Sequence, residues 1–387
     1  MKIAMFTETW FPTRDGVVTS LAAFRRGLEA LGHEVYIFAA GSRQAIRENK
    51  DERVHMYSGP VFRAYPDYYI ATDPGPPRRL LRSLGIEVVH THGTAMMGVK
   101  AVRCARLMHL PLLLTYHTRV EDATGYVTKK PAREAVLRTL IWQWHRWYFR
   151  QCDAIICPTN AVRDDILRYL HREMRRSFVI PTGVDIPRFT SGGAVAAREK
   201  YNLPDGKIVL SVGRTAWEKN LETLVAAAED MSRMRDDVTF IVAGKGPALS
   251  HFKAEADRRG IADRLRFLGF VPDEDLPSLY AAAHAFLMPS TFETQGIALL
   301  EAMAAGLPVV AADTGGPTHF VRPGENGFLF RGRSASACTE AIARALEGAP
   351  VIGSLAKETA REYSIERQCS LLVDAYEKLI EARRASA

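Results

Sequence analysis

Two glutamates eight positions apart, Glu293 and Glu301, stand in the segment Phe292-Glu293-Thr294-Gln295-Gly296-Ile297-Ala298-Leu299-Leu300-Glu301. The apolar run Ala285 to Met288 precedes them and reads as a buried strand. The run Ala302-Met303-Ala304-Ala305-Gly306 follows and reads as a small-residue helix stopped by Gly306 and Pro308. The spacing predicts Glu293 on a strand-to-helix turn and Glu301 about two helical turns further along the same face. Backbone N–H groups at a helix start lack intrahelical partners and suit an anion. One acid near the loop and one further down could hold two separate sets of hydroxyls on a long ligand. A sugar joined to a nucleoside through a diphosphate has that layout of hydroxyls, anion, hydroxyls.

Arg214 and Lys219 follow another apolar run, Ile208–Val212, and so lie at the carboxyl edge of its strand. Two cations there suit a diphosphate leaving group, because they stabilise the charge that grows as the glycosidic bond breaks. Arg grips two phosphate oxygens at once and Lys acts as a point charge. His117 stands just past the run Leu112–Thr115, and His90 and His92 end the run before it. A His-x-His pair on a strand suggests metal ligands, but no third ligand at helix spacing accompanies it, so a supporting or packing role is expected for both. Asp15-Gly16 lies in a loop that leads into a helix expected over Thr19–Leu31. Gly16 allows close backbone approach to a phosphate or sugar, and Asp15 is an acceptor-side candidate. Asp273-Glu274-Asp275 reads as a helix start after Pro272 rather than as a metal motif.

The elements that must position these residues alternate between short β-rich runs and helical periodicity. In the first half the strand candidates are Ile3–Phe6, Glu34–Ala39, Val88–His90, Leu112–Thr115, Ala154–Pro158 and Phe178–Ile180. In the second half they are Ile208–Val212, Thr239–Ala243, Leu265–Leu268, Ala285–Met288, Val309–Ala311 and Gly327–Phe330. Strand, helix, strand repeated in this way gives parallel sheets with helices on both faces. Two such series flank Pro181-Thr182-Gly183-Val184-Asp185-Ile186-Pro187, which predicts two Rossmann-like domains with the ligand in the cleft between them. The expected boundaries are 1–185, joined by a returning helix at about 366–387, and 186–365. A dinucleotide-binding oxidoreductase is disfavoured: Thr7-Glu8-Thr9-Trp10-Phe11-Pro12 follows the first strand where G-x-G-x-x-G would be needed.

The chain resembles the retaining glycosyltransferases of family 4 (GT4), which have the GT-B fold of two Rossmann-like domains facing each other across a cleft. Glu293 and Glu301 match the E-x7-E element of that family. Gly213-Arg214-Thr215-Ala216-Trp217-Glu218-Lys219-Asn220 matches its G-R-x4-K-N segment. Gly244-Lys245-Gly246-Pro247 matches its G-x-G-P turn. Thr182-Gly183-Val184-Asp185 is similar to its N-G-V-D linker, with Thr182 in place of Asn, and Thr7–Pro12 with Gly16-Val17-Val18 matches its first loop. The matches run in order from residue 1 to about 330. The resemblance implies that Glu293 binds the donor sugar hydroxyls and Glu301 the ribose. It implies that Gly16, Gly213, Gly244, Gly246, Thr294 and the backbone of Gln295, Gly296 and Ile297 line the donor, and that His117 contacts the sugar near its anomeric centre. It also implies a UDP-sugar or GDP-sugar donor, no cofactor and no metal, since Arg214, Lys219 and a helix terminus serve the diphosphate. Retention follows if the acceptor hydroxyl attacks on the face from which the diphosphate departs.

The bulk properties fit such an enzyme. At 387 residues, two domains are the prior. No signal peptide and no membrane-spanning run are visible, and five scattered cysteines fit a reducing cytoplasm. Residues 1–185 carry 27 Lys and Arg against 18 Asp and Glu, a net of +9, whereas the remainder is −2. That asymmetry is read either as a face for anionic lipid or as a solubilising surface. No nucleic-acid-binding module is recognised. Lys129, Lys130 and Arg133 precede a helical pattern of Val136, Leu140, Trp144, Trp147 and Tyr148. Basic residues with tryptophans suit an interfacial membrane helix, and the competing expectation is that Leu140 and Trp144 pack on the first sheet. The segments Tyr116-His117-Thr118 and Glu293-Thr294-Gln295-Gly296 look closest to the branch that glucosylates diacylglycerol. The expected function is transfer of a hexose, glucose, to a lipid hydroxyl at the cytoplasmic membrane face. The alternatives are a GDP-mannose-dependent mannosyltransferase on a glycolipid or polysaccharide precursor, transfer to a small soluble acceptor, and a non-catalytic binding protein of the same fold.

Overall fold

The computed structural model describes residues 1–13, 15–62, 68–72, 77–117, 131–170 and 176–385. Within them the chain forms two compact units. One comprises Met1–Gly183 with Ile365–Ala387, and the other Val184–Ser364.

The first unit is built on strands β1 (Lys2–Thr7), β2 (Glu34–Gly41), β3 (Val54–Ser58), β4 (Val88–Thr91), β5 (Leu112–Thr115), β6 (Ala154–Cys157) and β7 (Ser177–Val179), in the order β3-β2-β1-β4-β5-β6-β7. Every pairing is parallel. The near-continuous apolar strands are required because helices cover both faces, and two buried clusters lie on the two sides of the sheet. The helix Ile365–Arg384 belongs to this unit and packs against the helix Gly16–Ala30. A methyl group on Gly27 would collide with Cys369 and Ile365, so that crossing depends on a bare backbone. Strand β3 has no counterpart in the sequence reading. Its run Val-His-Met-Tyr-Ser is too polar to signal a strand, and only pairing with β2 makes it one. The helix after β1 starts three residues earlier than expected because Asp15 caps it, accepting from the Val18 N–H at 2.8 Å.

The second unit is built on β8 (Lys207–Val212), β9 (Val238–Ala243), β10 (Leu265–Gly269), β11 (Ala285–Met288), β12 (Val309–Ala312) and β13 (Gly327–Phe330), in the order β10-β9-β8-β11-β12-β13, again all parallel. In each unit the strand order reverses once, between β1 and β4 and between β8 and β11. At such a switch point the loops leaving the carboxyl ends diverge and open a crevice for ligand. Arg214 and Lys219 leave β8, Glu293 leaves β11, Glu8 leaves β1 and His92 leaves β4, so all five flank the switch points of their own sheets.

Candidate functional site

In the second unit, β8 ends at Val212 and the chain runs through Gly213, Arg214 and Thr215 into a single tight turn, Trp217–Lys219. Asn220 takes the left-handed conformation (φ +52°) and opens the helix Leu221–Met234. Its side chain reaches across to the neighbouring loop rather than capping the helix. Asn220 Nδ2 donates to the carbonyl of Pro289, beyond β11, at 2.9 Å, and its Oδ1 accepts from Thr223 Oγ1 at 3.0 Å. The loop of β8 is thereby tied to the loop of β11. Lys219 Nζ then lies 2.7 Å from Glu293 Oε1, and Arg214 Nη2 lies 2.7 Å from Glu218 Oε1. Both cations expected to meet a diphosphate are thus each held by a carboxylate, and all four side chains keep partial access to solvent.

The glycines serve the same loops. The peptide at Gly246 sits so close to Thr215 that a Cβ would collide with the Thr215 backbone, and Gly244 is pressed equally against Gly213. Thr215 N–H donates to Lys245 O at 2.9 Å and Thr215 Oγ1 to Gly244 O at 2.9 Å. The G-x-G turn after β9 is therefore the mould that shapes the Arg214 loop. A second mould, not singled out in the sequence, is Gly315-Gly316 after β12. Gly316 N–H donates to Glu293 O at 2.8 Å, and a Cβ on Gly316 would stand 2.6 Å from the Gln295 backbone.

The helix that carries Glu301 spans Ile297–Ala304, and Gly296 precedes it with a φ of +88°. Glu293, Thr294 and Gln295 are in the non-helical loop. Glu293 lies on the strand-to-helix turn as expected, but Glu301 does not continue a common face from it, because the left-handed Gly296 redirects the chain between them. Glu301 sits in the second turn of the helix, where its Oε2 accepts from Tyr280 Oη at 2.8 Å. Burial raises the Glu301 pKa above the usual carboxylate range, against the pull of that hydrogen bond. Tyr280, from the helix Leu276–Ala282, had no motif to mark it.

The first unit holds its own polar centre. Glu8, buried after β1, accepts from the N–H groups of Met97 and Gly98 at 3.0 and 3.1 Å and so caps the helix Met96–Met108 from a distance. Burial pushes its pKa up to about 7, although those N–H groups favour the carboxylate. In the same unit three histidines form a column. His90 and His92 have ring centroids 4.1 Å apart, and His92 and His117 lie 5.2 Å apart and nearly parallel. His90 Nδ1 meets Tyr376 Oη and its Nε2 meets Thr115 Oγ1, both at 2.7 Å, while His92 Nδ1 faces His117 Nε2 at 2.9 Å. The ring nitrogens pair with neighbours rather than converge on one point, and no metal-type cluster occurs among the described residues. Burial drives the His90 pKa down to about 3 and that of His117 to about 4, so both rings are neutral at pH 7. Asp15 is committed to its helix cap and to Thr9 Oγ1 at 3.3 Å, and Gly16 is the first helical residue rather than part of a flexible loop.

The helix Pro131–Phe149 divides its aromatic residues differently from the packing expectation. His145, Tyr148 and Phe149 point inward. Leu140 and Trp144, expected on the sheet, are 55% and 41% exposed, in line with Val136 and Trp147 at spacings of four, four and three. The Trp144 indole N–H is engaged inward, donating to Thr94 O at 2.9 Å, and the rings of Trp144 and Trp147 lie against the buried Tyr148. Arg133 and Arg138 are exposed on the same helix. Lys129 and Lys130 lie outside the described residues.

Comparison with known proteins agrees with this architecture. The description "Glycosyl transferases group 1" matches residues 196–367, and "Glycosyltransferase Family 4" matches residues 14–188. The chain is 31% identical over 318 residues to the alpha-monoglucosyldiacylglycerol synthase of Streptococcus pneumoniae, covering 80% of this chain and 71% of that protein. It is 31% identical over 340 residues to the enzyme of the same name from Acholeplasma laidlawii, covering 85% of each. The crystal structure of Anabaena HepE in complex with UDP superposes with a TM-score of 0.77 at 17% identity, covering 98% of this chain and 100% of that one. The chain therefore belongs to glycosyltransferase family 4 and is a hexosyltransferase of the GT-B fold and the retaining class.

Two outcomes follow from the geometry. His90 has a folded pKa near 3 against an ordinary value of 6.5, so below about pH 6.5 the unfolded chain binds the proton first. Stability is present above that pH and is lost as pH falls, by up to about 1.4 kcal/mol per pH unit for this group. His117 and His145, both near 4, act in the same direction. Glu8 opposes them, since a carboxyl raised to about 7 loses stability as pH rises through that value. Glu301, also raised by burial, acts with Glu8, and His92, lowered by burial, acts with the other three histidines. Four histidines outweigh two glutamates, so the melting temperature should climb from pH 4.5 to 6.5, and a flat or falling curve over that interval would contradict the neutral histidines. Asn220→Ala should lower unfolding stability by about 2 kcal/mol in urea titration, because it strands a buried carbonyl and strains a left-handed residue.

Proposed function

We propose that this enzyme transfers glucose from UDP-glucose to a hydroxyl of a diacylglycerol-type lipid at the cytoplasmic face of a membrane. The observation that carries the donor side is the 2.7 Å contact between Lys219 and Glu293. It sets a cation for a phosphate beside a carboxylate for sugar hydroxyls, on loops that Asn220 and Gly316 hold in register. A nucleoside diphosphate sugar presents an anion next to hydroxyls and fits that pair. In this reading Arg214 and Lys219 take the diphosphate, Glu293 the hexose hydroxyls and Glu301 the ribose. Gly16, Gly213, Gly244, Gly246, Thr294 and the Gln295-Gly296-Ile297 backbone shape the donor loops. His117, neutral, offers a hydrogen bond to the sugar.

The two cations stabilise the charge that develops as the bond from the anomeric carbon to the diphosphate oxygen breaks. The acceptor oxygen forms the new bond on the same face, and its proton passes to the departing phosphate oxygen. No side chain is needed as a nucleophile. The lipid side is supported by the names of the two relatives and by the exposed face of Val136, Leu140, Trp144 and Trp147 beside Arg133 and Arg138. Apolar side chains of that size flanked by arginines suit the boundary between headgroups and acyl chains. No helix among the described residues is long and apolar enough to cross a membrane, and surface attachment does not require one.

Lys219→Ala should lower turnover of UDP-glucose with diacylglycerol in mixed micelles on the order of a hundredfold. The melting temperature should hold. Near-normal turnover would remove the diphosphate role, and transfer from GDP-mannose with none from UDP-glucose would replace the donor.

The membrane reading is checked by sedimentation with phosphatidylglycerol vesicles. Wild-type protein should co-sediment at low salt, since each basic residue near an anionic surface contributes about 1 kcal/mol that salt screens. Leu140→Gln combined with Trp147→Gln should weaken co-sedimentation without changing the melting temperature. Wild-type protein that ignores the vesicles would shift the acceptor to a small soluble polyol or sugar.

A further inference from the structure

Glu301 is held by a side chain that no motif marks. The helix Leu276–Ala282 places Tyr280 with its ring wholly buried, edge-on to Phe189 at 5.5 Å and against Phe286 of β11 at 5.9 Å. A phenol packed between two other rings keeps its hydroxyl where the core sets it. That hydroxyl reaches the carbonyl of Ala298 at 3.3 Å and Glu301 Oε2 at 2.8 Å, both on the helix Ile297–Ala304. It has one hydrogen to give, and the shorter contact to a charged acceptor takes it.

The contact fixes a degree of freedom that the backbone leaves open. The terminal torsion of a glutamate has broad minima, so helix position and rotamer bring the carboxylate to a place without setting its plane. A hydrogen bond to one oxygen sets that plane. Oε2 is anchored to the core, and Oε1 accepts no hydrogen bond among the described residues. Glu301 keeps partial access to solvent, on the helix that follows β11 at the carboxyl edge of the sheet. Burial raises its pKa and Asp273 adds to that, while the Tyr280 hydrogen bond and Arg188 favour the ionised form. A carboxylate offers about four lone-pair sites, and the phenol occupies one. The remaining acceptors lie in a plane that the protein has chosen, which suits a neighbouring pair of hydroxyls.

We propose that Tyr280 is a positioning residue that sets the plane of the Glu301 carboxylate and thereby makes the donor site selective for a ribose nucleotide over its 2′-deoxy analogue. This rests on the reading of Glu301 as the acid for the ribose. Adjacent 2′- and 3′-hydroxyls both donate to one carboxylate when its plane faces them. A nucleotide without the 2′-hydroxyl leaves a carboxylate oxygen short of a partner in a partly dried site. Sites built to hydrogen-bond a hydroxyl reject analogues that lack it for that reason. Tyr280 acts through Glu301 and not on the ligand itself.

Titration calorimetry of the full chain with UDP and with 2′-deoxy-UDP tests this without an acceptor or a sugar. GDP and 2′-deoxy-GDP take their place if the protein binds GDP instead. Wild-type protein should bind the ribonucleotide on the order of tenfold or more tighter than the deoxy analogue. Tyr280→Phe keeps the ring and its packing and loses only the hydroxyl. It should weaken UDP about tenfold and 2′-deoxy-UDP far less, so that discrimination shrinks while the melting curve stays cooperative. Glu301→Ala should do the same, and adding Tyr280→Phe to it should weaken UDP no further. Equal discrimination in Tyr280→Phe and wild type, or effects that add in the double variant, would confine Tyr280 to packing and overturn the proposal. Wild-type protein indifferent to the 2′-hydroxyl would overturn it without any variant. UDP affinity unchanged in Glu301→Ala would remove the ribose role of Glu301 and the proposal with it. A loss in Glu301→Ala without one in Tyr280→Phe would leave that role standing and strike Tyr280 alone.

Discussion

The backbone locking that brings Lys219 within 2.7 Å of Glu293 is the constraint on which the ligand loops of the second unit depend. The two residues belong to different strands, and a flexible lysine does not hold a carboxylate at that distance by attraction alone, since a partly exposed ion pair is worth only about 0–1 kcal/mol. What holds them is backbone. Asn220 hydrogen-bonds the chain beyond β11, Gly246 lets the loop of β9 lie flat against Thr215, and Gly316 lets the loop of β12 lie flat against Gln295. Four loops on one sheet edge are locked together by groups too small or too polar to contribute much hydrophobic burial. The ion pair is the readout of that locking, and a ligand phosphate would replace one charge partner by another without rebuilding the loops.

The first unit solves a different problem. It buries three histidines and a glutamate where a sheet would ordinarily place aliphatic side chains. The cost is met by mutual hydrogen bonding: His90 with Tyr376 and Thr115, His92 with His117, and Glu8 with the start of the helix Met96–Met108. A low dielectric then keeps the rings neutral, and neutrality turns each ring into a group with one donor and one acceptor. Such a column connects the helix Ile365–Arg384 to the end of β5. The exposed face of the helix Pro131–Phe149 departs from economical packing in the opposite sense, leaving Leu140 and Trp147 to solvent while His145 is buried. Both departures are expected where function competes with stability.

Much of this was legible in the order of residues. Apolar runs of four to eight separated by helical periods specify parallel sheets, because only a strand covered on both faces can be apolar throughout. The paired series on either side of Pro181–Pro187 specified two such sheets. The motifs around Arg214, Lys219, Gly244, Glu293 and Glu301 named the family, since glycines and charges at strand ends have few uses besides ligand loops. Strand β3 was not legible, because its polar residues become a strand only by pairing. The start of the helix at Gly16 was missed for the opposite reason: a single Asp15 side chain outweighed the weak helical preference of the residues after it.

The sequence by itself determined the fold class, the family and the residue types available for a diphosphate and a sugar. These depend on local periodicity and on short spacings within one strand–loop–helix unit. Tertiary structure alone decided which partner each group has. Lys219 and Glu293 are 74 positions apart, His92 and His117 are 25 apart, and His90 and Tyr376 are 286 apart. It also decided that Glu293 and Glu301 do not share a helical face, because a left-handed glycine breaks the periodicity on which that expectation relied. Protonation states belong to the same class: a histidine's charge is set by the water it has lost and the neighbours it has gained, and neither quantity is written in its immediate sequence.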